Sequence, residues 1–196
     1  MLCPVERADA ARNRARILEA AARLFATAGA PNVTMDDIAR AAGVGRGTLY
    51  RRYPDRASIA LALLDEHERA LQEELLRGAP PLGPGAPPAE RLAAFYSAMV
   101  RLLEDHAHLV LGAETGRSRF ETGAYGFWRA HVRSLLTAAG LPDPDALVEP
   151  LLAPLAPEVY GFQRTDRGLT PRQIASALAG LAAGVLGGNG GGRPPS

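Results

Sequence analysis

Apolar residues recur at three- and four-residue steps along almost the whole chain, the period of a helix with one buried face. Over residues 12–29 the repeat is Ile17, Ala21, Leu24, Phe25 and Ala28, and Gly29 supplies a stop. Over residues 55–77, Ile59, Leu63, His67, Leu71 and Leu75 form a four-residue stripe that predicts packing along the full helix. Leu92, Phe95, Tyr96, Met99, Leu102 and Leu103 repeat the pattern, as do Trp128, His131, Val132, Leu135 and Leu136. Asp143-Pro144 reads as an N-cap followed by proline in the first turn. Pro150, Pro154 and Pro157 then predict an irregular element, because each removes a helical hydrogen bond. Thr170-Pro171-Arg172-Gln173 fits a capping box, and the helix behind it carries Ile174, Leu178, Leu181 and Val185. No stretch sustains a two-residue alternation, so no strand is predicted and the fold class is all-α.

Glycine and proline divide this pattern. Eight fall within residues 78–88, which read as a linker or long loop, and seven within 187–196, which read as a disordered tail.

Residues 33–56 carry the most specific signal. Thr34 can cap a short helix, with Asp37 as its reciprocal partner, and that helix turns Ile38 and Ala42 inward. Gly43 breaks it after about two turns. A second short helix begins near Arg46, and Pro54 ends it. Two short helices joined by a glycine-containing turn form a helix-turn-helix. The tight crossing needs a small residue at the contact, which Ala39 provides. It needs a positive-φ residue in the turn, Gly43, and apolar anchors, Ile38, Val44 and Leu49. The second helix then presents Arg46, Gly47, Thr48, Tyr50, Arg51 and Arg52 outward, donors suited to phosphates and major-groove base edges. Tyr50 fits a half-buried packing role equally well, whereas Tyr53 is assigned to packing. Asp36 and Asp37 read as helix-start charges.

Charge sharpens this reading. The net charge of +1 hides a division: residues 1–56 hold ten arginines and six acids, and residues 57–196 hold twelve arginines and fifteen acids. Basic charge therefore lies with the motif, as an electrostatic footprint on DNA requires. There is no lysine, so every cationic contact is a guanidinium. One cysteine, Cys3, excludes an intrachain disulfide and a cysteine metal cluster. No apolar run reaches the length of a membrane span and the start lacks a signal-peptide pattern, so no membrane partner and a cytoplasmic location are expected.

An N-terminal helix, a helix-turn-helix ending in GTLYRRYPDR and an all-helical remainder resemble the TetR family of transcriptional regulators. The specific resemblance covers residues 13–64; beyond it, only helix count and layout agree. It implies a three-helix DNA-binding domain over residues 10–70, with a connecting helix from about 55. A ligand-binding and dimerisation domain would follow over 71–186. It implies that Thr34 touches a phosphate and that Arg46 and Gly47 approach base edges. Thr48, Tyr50, Arg51 and Arg52 would contact backbone or nearby bases, and Arg56, where lysine is commoner, another phosphate. Val44 and Gly45, in the turn before the second helix, complete the set. The implied partners are a double-stranded, near-palindromic operator, a second copy of the chain and a small-molecule effector.

For the effector, the residues nominated are Phe95, Tyr96, Met99, Phe127, Trp128 and His131, an apolar set with one polar group. Their first reading is core, and His131 reads first as a satisfied core histidine. The last helix, rich in alanine and glycine, is expected to pair with residues 143–160 and with their copies in a second subunit. His106 and His108 lack further ligands nearby, so no metal is expected, and no cofactor. An enzyme would need a convergent polar constellation, and no nucleophile, phosphate-loop or dinucleotide motif occurs. A DNA-binding regulator without a ligand remains the competing reading.

Overall fold

A computed structural model describes residues 4–29, 32–113 and 123–187. Among them are nine α-helices and no strand: α1 (Pro4–Ala28), α2 (Met35–Ala42), α3 (Arg46–Arg52), α4 (Arg56–Arg77), α5 (Pro88–Ala113), α6 (Gly123–Ala138), α7 (Pro144–Leu152), α8 (Pro157–Thr165) and α9 (Pro171–Gly187). The all-α expectation holds. The chain divides within α4 into two compact units, Met1–His67 and Glu68–Ser196.

The first unit has its own core. Ile17, Leu18, Ala20 and Ala21 of α1 meet Ile38, Ala39 and Ala42 of α2, Leu49 of α3, and Ile59 and Leu63 of α4. Burial of this apolar surface is the driving force, at roughly 25 cal/mol per Å². Arg14 adds an ion pair to Glu66 at 2.7 Å, linking α1 to α4. Helix α4 starts on a reciprocal cap: Ser58 N donates to Asp55 Oδ1 at 2.8 Å, and Asp55 N donates to Ser58 Oγ at 3.4 Å.

The expected continuous stripe on α4 is interrupted. Ile59 and Leu63 are buried in the first unit and Leu71 and Leu75 in the second, but His67 between them is exposed. The helix changes core at that position, so the imidazole stays in water.

Helix α5 is the hub of the second unit. Its buried residues Leu92, Phe95, Tyr96, Ala98, Met99, Val100 and Leu103 occupy more than one face, so neighbours must cover it from several sides. Helix α9 lies along it, and α8 and α6 pack beside it. Residues 78–87 form a close-fitting loop: a Cβ at the buried Gly83 would lie 1.9 Å from the carbonyl oxygen of Gly78. Only glycine allows that approach.

Helix α9 departs from its expected pairing. Within the chain it packs on α5 rather than on residues 143–160. It buries Ile174, Leu178 and Ala182, leaving Leu181 exposed and Val185 half-buried. Residues 188–196 of the expected tail lie outside the described residues, and Gly187 still belongs to α9.

The prolines act unequally. Pro144 and Pro157 open α7 and α8, where a missing N–H costs nothing. Pro154 sits in a 3-10 turn, Ala153–Leu155, that separates the two helices. Pro150 lies inside α7 without ending it. Near the C-terminus of α7 the Leu151 carbonyl accepts from the Tyr96 hydroxyl at 2.9 Å, one of the end groups a helix cannot satisfy alone. On α8, Arg164 grips Glu104 of α5 with two hydrogen bonds of 2.8 and 2.7 Å, and the Tyr160 hydroxyl donates to the same carboxylate. These contacts hold the Glu104 carboxyl below its ordinary pKa, the Arg164 hydrogen bond foremost.

Candidate nucleic-acid interface

Local rules fix α2 at both ends. Thr34 has extended backbone, its hydroxyl accepts from Asp37 N at 3.2 Å, and Thr34 N donates to Asp37 Oδ2 at 3.1 Å. The same hydroxyl donates to Asp37 Oδ2 at 2.5 Å. These bonds from Thr34 hold the Asp37 carboxyl below its usual pKa. At the other end Gly43 takes φ 61°, a left-handed conformation in which its N–H reaches the carbonyls of Ala39 and Arg40. Arg16 Nη2, from α1, donates to the Gly43 carbonyl at 2.9 Å. The positive φ restricts this position to glycine, and a Cβ there would also displace the Arg16 guanidinium, 2.5 Å away.

Helix α3 starts at Gly45, whose carbonyl accepts from Thr48 N and Leu49 N at 3.0 and 3.1 Å. Leu49 is fully buried and fixes which side faces out, while Val44 packs partly against the same core. Arg46, Gly47, Tyr50 and Arg51 then lie on the solvent side. A Cβ at Gly47 would meet nothing within 4 Å, so the backbone there is open to approach. Tyr50 stands on the solvent side, 48% exposed, whereas Tyr53 is buried, as assigned.

The cations of this face differ in their freedom. Arg46 pairs with Asp36 of α2, both at the surface. Arg51 reaches Thr48 Oγ1 at 3.4 Å. Arg52 donates to the Ala10 carbonyl of α1 at 3.0 Å. Arg56 is half-buried and donates to the Val33 carbonyl at 2.9 Å. Thr48, Arg51 and Arg52, with Asp9, Ala10, Asn13 and Ile17, line an open groove of about 520 Å³ beside α3. The brackets from Arg16, Arg52 and Arg56 to distant carbonyls are absent from the sequence reading, because partners 23 to 42 residues apart leave no local signal.

The second nominated set lies between α5 and α6. Phe95, Tyr96, Met99, Trp128 and His131 are buried, and Phe127 is half-buried. Phe95 stands 5.8 Å from Trp128 and 5.3 Å from His131, ring centre to ring centre; Phe127 meets Trp128 edge-on at 5.4 Å. His131 is not the satisfied core histidine expected: its Nε2 is buried without a hydrogen-bond partner. Burial first, and the Arg91 charge second, push its pKa down to about 4, so the ring is neutral at pH 7. Arg91, unnoticed in the sequence, also has a buried, unpartnered Nε. Among the described residues no three His, Cys, Asp or Glu side chains gather as metal ligands. His106 is buried, and the side chain of His108 lies outside the described residues. No described helix is long and apolar enough to cross a membrane.

Comparison with known proteins places this architecture. A profile described as "Bacterial regulatory proteins, tetR family" matches residues 17–63, which include all of α2 and α3. An uncharacterized HTH-type transcriptional regulator of Mycobacterium tuberculosis is 33% identical over 138 residues, 68% of this chain. The match spans 66% of that relative's length, just under two thirds. Among solved structures, a TetR/AcrR-family transcriptional regulator from Thermobifida fusca superposes with a TM-score of 0.63 at 21% identity, covering 92% of this chain and 98% of that one. The regulator FadR of Bacillus subtilis, in complex with stearoyl-CoA, gives 0.61 at 18% identity, covering 85% and 96%. The helix-turn-helix thus lies inside a segment that matches the tetR family of bacterial regulatory proteins, and the chain as a whole has the all-helical fold of TetR-family structures.

Proposed function

We propose that this protein is a dimeric transcriptional repressor that binds a near-palindromic operator through α3 and is released by a small molecule. The observation that carries this reading is the outer face of α3. It offers a bare glycine backbone, an exposed tyrosine and two surface guanidiniums on a helix whose buried side is locked by Leu49. Arg46 and Gly47 reach base edges; Thr34, Thr48, Tyr50, Arg51 and Arg52 hold the backbone, with Val44 and Gly45 setting the approach. Arg56, whose Nη1 donates to the Val33 carbonyl, takes a further phosphate with its other N–H donors. Likeness to this family favours regulation over enzymatic activity.

Val159 and Phe162 of α8 and Leu181 of α9 are large apolar side chains left exposed, and they supply the surface for a second copy. A two-fold dimer sets its recognition helices about 34–36 Å apart, one DNA turn. The aromatic cluster between α5 and α6 takes the effector, a reading supported by the stearoyl-CoA complex of the Bacillus subtilis regulator. An effector shifts operator binding only by its differential affinity for the two states. Helix α4, continuous from Ile59 and Leu63 in one core to Leu71 and Leu75 in the other, is the element through which such a shift passes.

The test is a gel shift on the protein's own upstream DNA with Arg46→Ala and Tyr50→Ala combined. Loss of the shifted band, with the helical circular-dichroism spectrum retained, is expected; undiminished affinity would sink the assignment. Sedimentation should give a dimer that Phe162→Glu dissociates.

A further inference from the structure

Two polar groups in the second unit have nothing to bind. His131 is 8% exposed, and its Nε2 lacks a partner. The Nε of Arg91 is buried and equally bare; this guanidinium is held by one hydrogen bond, from Nη2 to the Leu75 carbonyl at 3.1 Å. Among the described residues no carboxylate pairs with it. The two groups belong to one cluster. Arg91 lies one turn before Phe95 on the same face of α5, and the Phe95 ring is 5.3 Å from the imidazole.

A buried donor left unpaired costs its full desolvation, and native interiors keep very few. Two in one cluster give this part of the fold two polar groups that no protein group meets. The cluster's other polar handle is already used, since the Tyr96 hydroxyl donates to the Leu151 carbonyl. What remains is a guanidinium edge with no acid to neutralise it, and beside it a neutral imidazole nitrogen. An occupant must bring acceptor oxygens and negative charge, and its body must suit Phe95 and Trp128, whose rings stand 5.8 Å apart.

We propose that Arg91 and His131 together bind the carboxylate of an amphipathic organic acid, whose apolar part lies against Phe95 and Trp128. This rests on the reading of the second unit as the effector domain. The Nε–H of Arg91 and the Nε2–H tautomer of His131 each donate to a carboxylate oxygen, and the Arg91 bond is charge-assisted.

Decanoate is the probe, with decanol and decyltrimethylammonium as controls of equal chain length. Binding to the full chain is read by calorimetry and by the fluorescence of Trp128, the chain's one tryptophan. Decanoate is expected to bind at least tenfold more tightly than either control, and Arg91→Met and His131→Phe are each expected to weaken it at least tenfold. Equal affinity for all three probes, affinity that survives both substitutions, or no binding of decanoate overturns the proposal. Should Arg91→Met or His131→Phe not fold, Arg91→Lys decides. It keeps the charge while losing the Nε donor, so it should weaken decanoate but leave it ahead of decanol; unchanged affinity overturns the site. A separate gel shift distinguishes this failure from that of the effector reading. Decanoate that needs Arg91 and His131 yet leaves operator affinity unchanged retains the site and removes the effector role. Release by ligands indifferent to both residues does the reverse.

Discussion

The two units solve the problem of polar groups in opposite ways. In the first, the polar groups at the turn are closed off by short, local bonds. Thr34 and Asp37 satisfy each other, and Gly43 serves the carbonyls behind it. In the second, Arg91 and His131 keep buried nitrogens that no protein group meets. Full satisfaction suits an element that must present one fixed face to DNA. An unsatisfied cluster suits one whose partner arrives from outside. The contrast explains why the first unit follows a recognisable motif and the second does not: a rigid turn has few chemical solutions, whereas a packed core has many.

The largest effect that tests this contrast is on DNA affinity. Arg46→Ala with Tyr50→Ala should cost at least about 1–3 kcal/mol of operator binding, the worth of one bidentate base contact at Arg46, with the loss of the Tyr50 backbone contact added to it. Melting curves should not move, because both side chains lie on the exposed face.

Next comes the separateness of the cores. Leu49→Ala empties a fully buried site in the first unit and should destabilise it by about 2–5 kcal/mol. Trp128 lies in the second unit, so its fluorescence should melt unchanged while the helical signal loses an early component. If both transitions shift together, the units are one cooperative body and the contrast fails.

Acid should separate the units further. His131 has a folded pKa of about 4 against an ordinary 6.5, so between those values the unfolded chain binds more protons. Stability must then rise with pH across that window and fall on acidification, by up to about 3 kcal/mol at 1.36 kcal/mol per pKa unit. The Trp128 transition should follow this dependence, and His131→Phe should flatten it.

The smallest effect concerns the cap. Thr34→Ala removes the two bonds that the hydroxyl makes with Asp37, leaving the one from the backbone N–H, and should cost about 1 kcal/mol, confined to the first unit. It should also let the Asp37 carboxyl rise toward its ordinary pKa, visible by NMR titration.

Much of the first unit was legible because its determinants are local. Gly43, Ala39 and Leu49 sit within one short stretch, and each has a single physical reason to be there. The capping box at Thr170 and Gln173 was readable on the same ground. Where the reading failed, the cause was distance. The stripe on α4 passed through His67 as if one core lay beneath it, yet the helix changes cores there. On α9 the periodicity placed Leu181 and Val185 on the apolar seam, but the helix buries Ala182 and leaves Leu181 exposed, because the neighbour it packs on, α5, is remote in sequence.

By itself, the sequence determined most of the helices outside residues 150–165, the caps at Thr34, Asp143 and Thr170, the turn at Gly43 and the basic outer face of α3. Those depend on hydrogen bonds and periodicities that act within a few residues. Tertiary structure alone decided that Arg16, Arg52 and Arg56 brace the first unit through remote carbonyls. It alone decided that the Tyr96 hydroxyl has a partner while Arg91 Nε and His131 Nε2 have none. Whether a buried polar atom is satisfied depends on which distant group the fold brings within about 3 Å, and no local pattern encodes that distance.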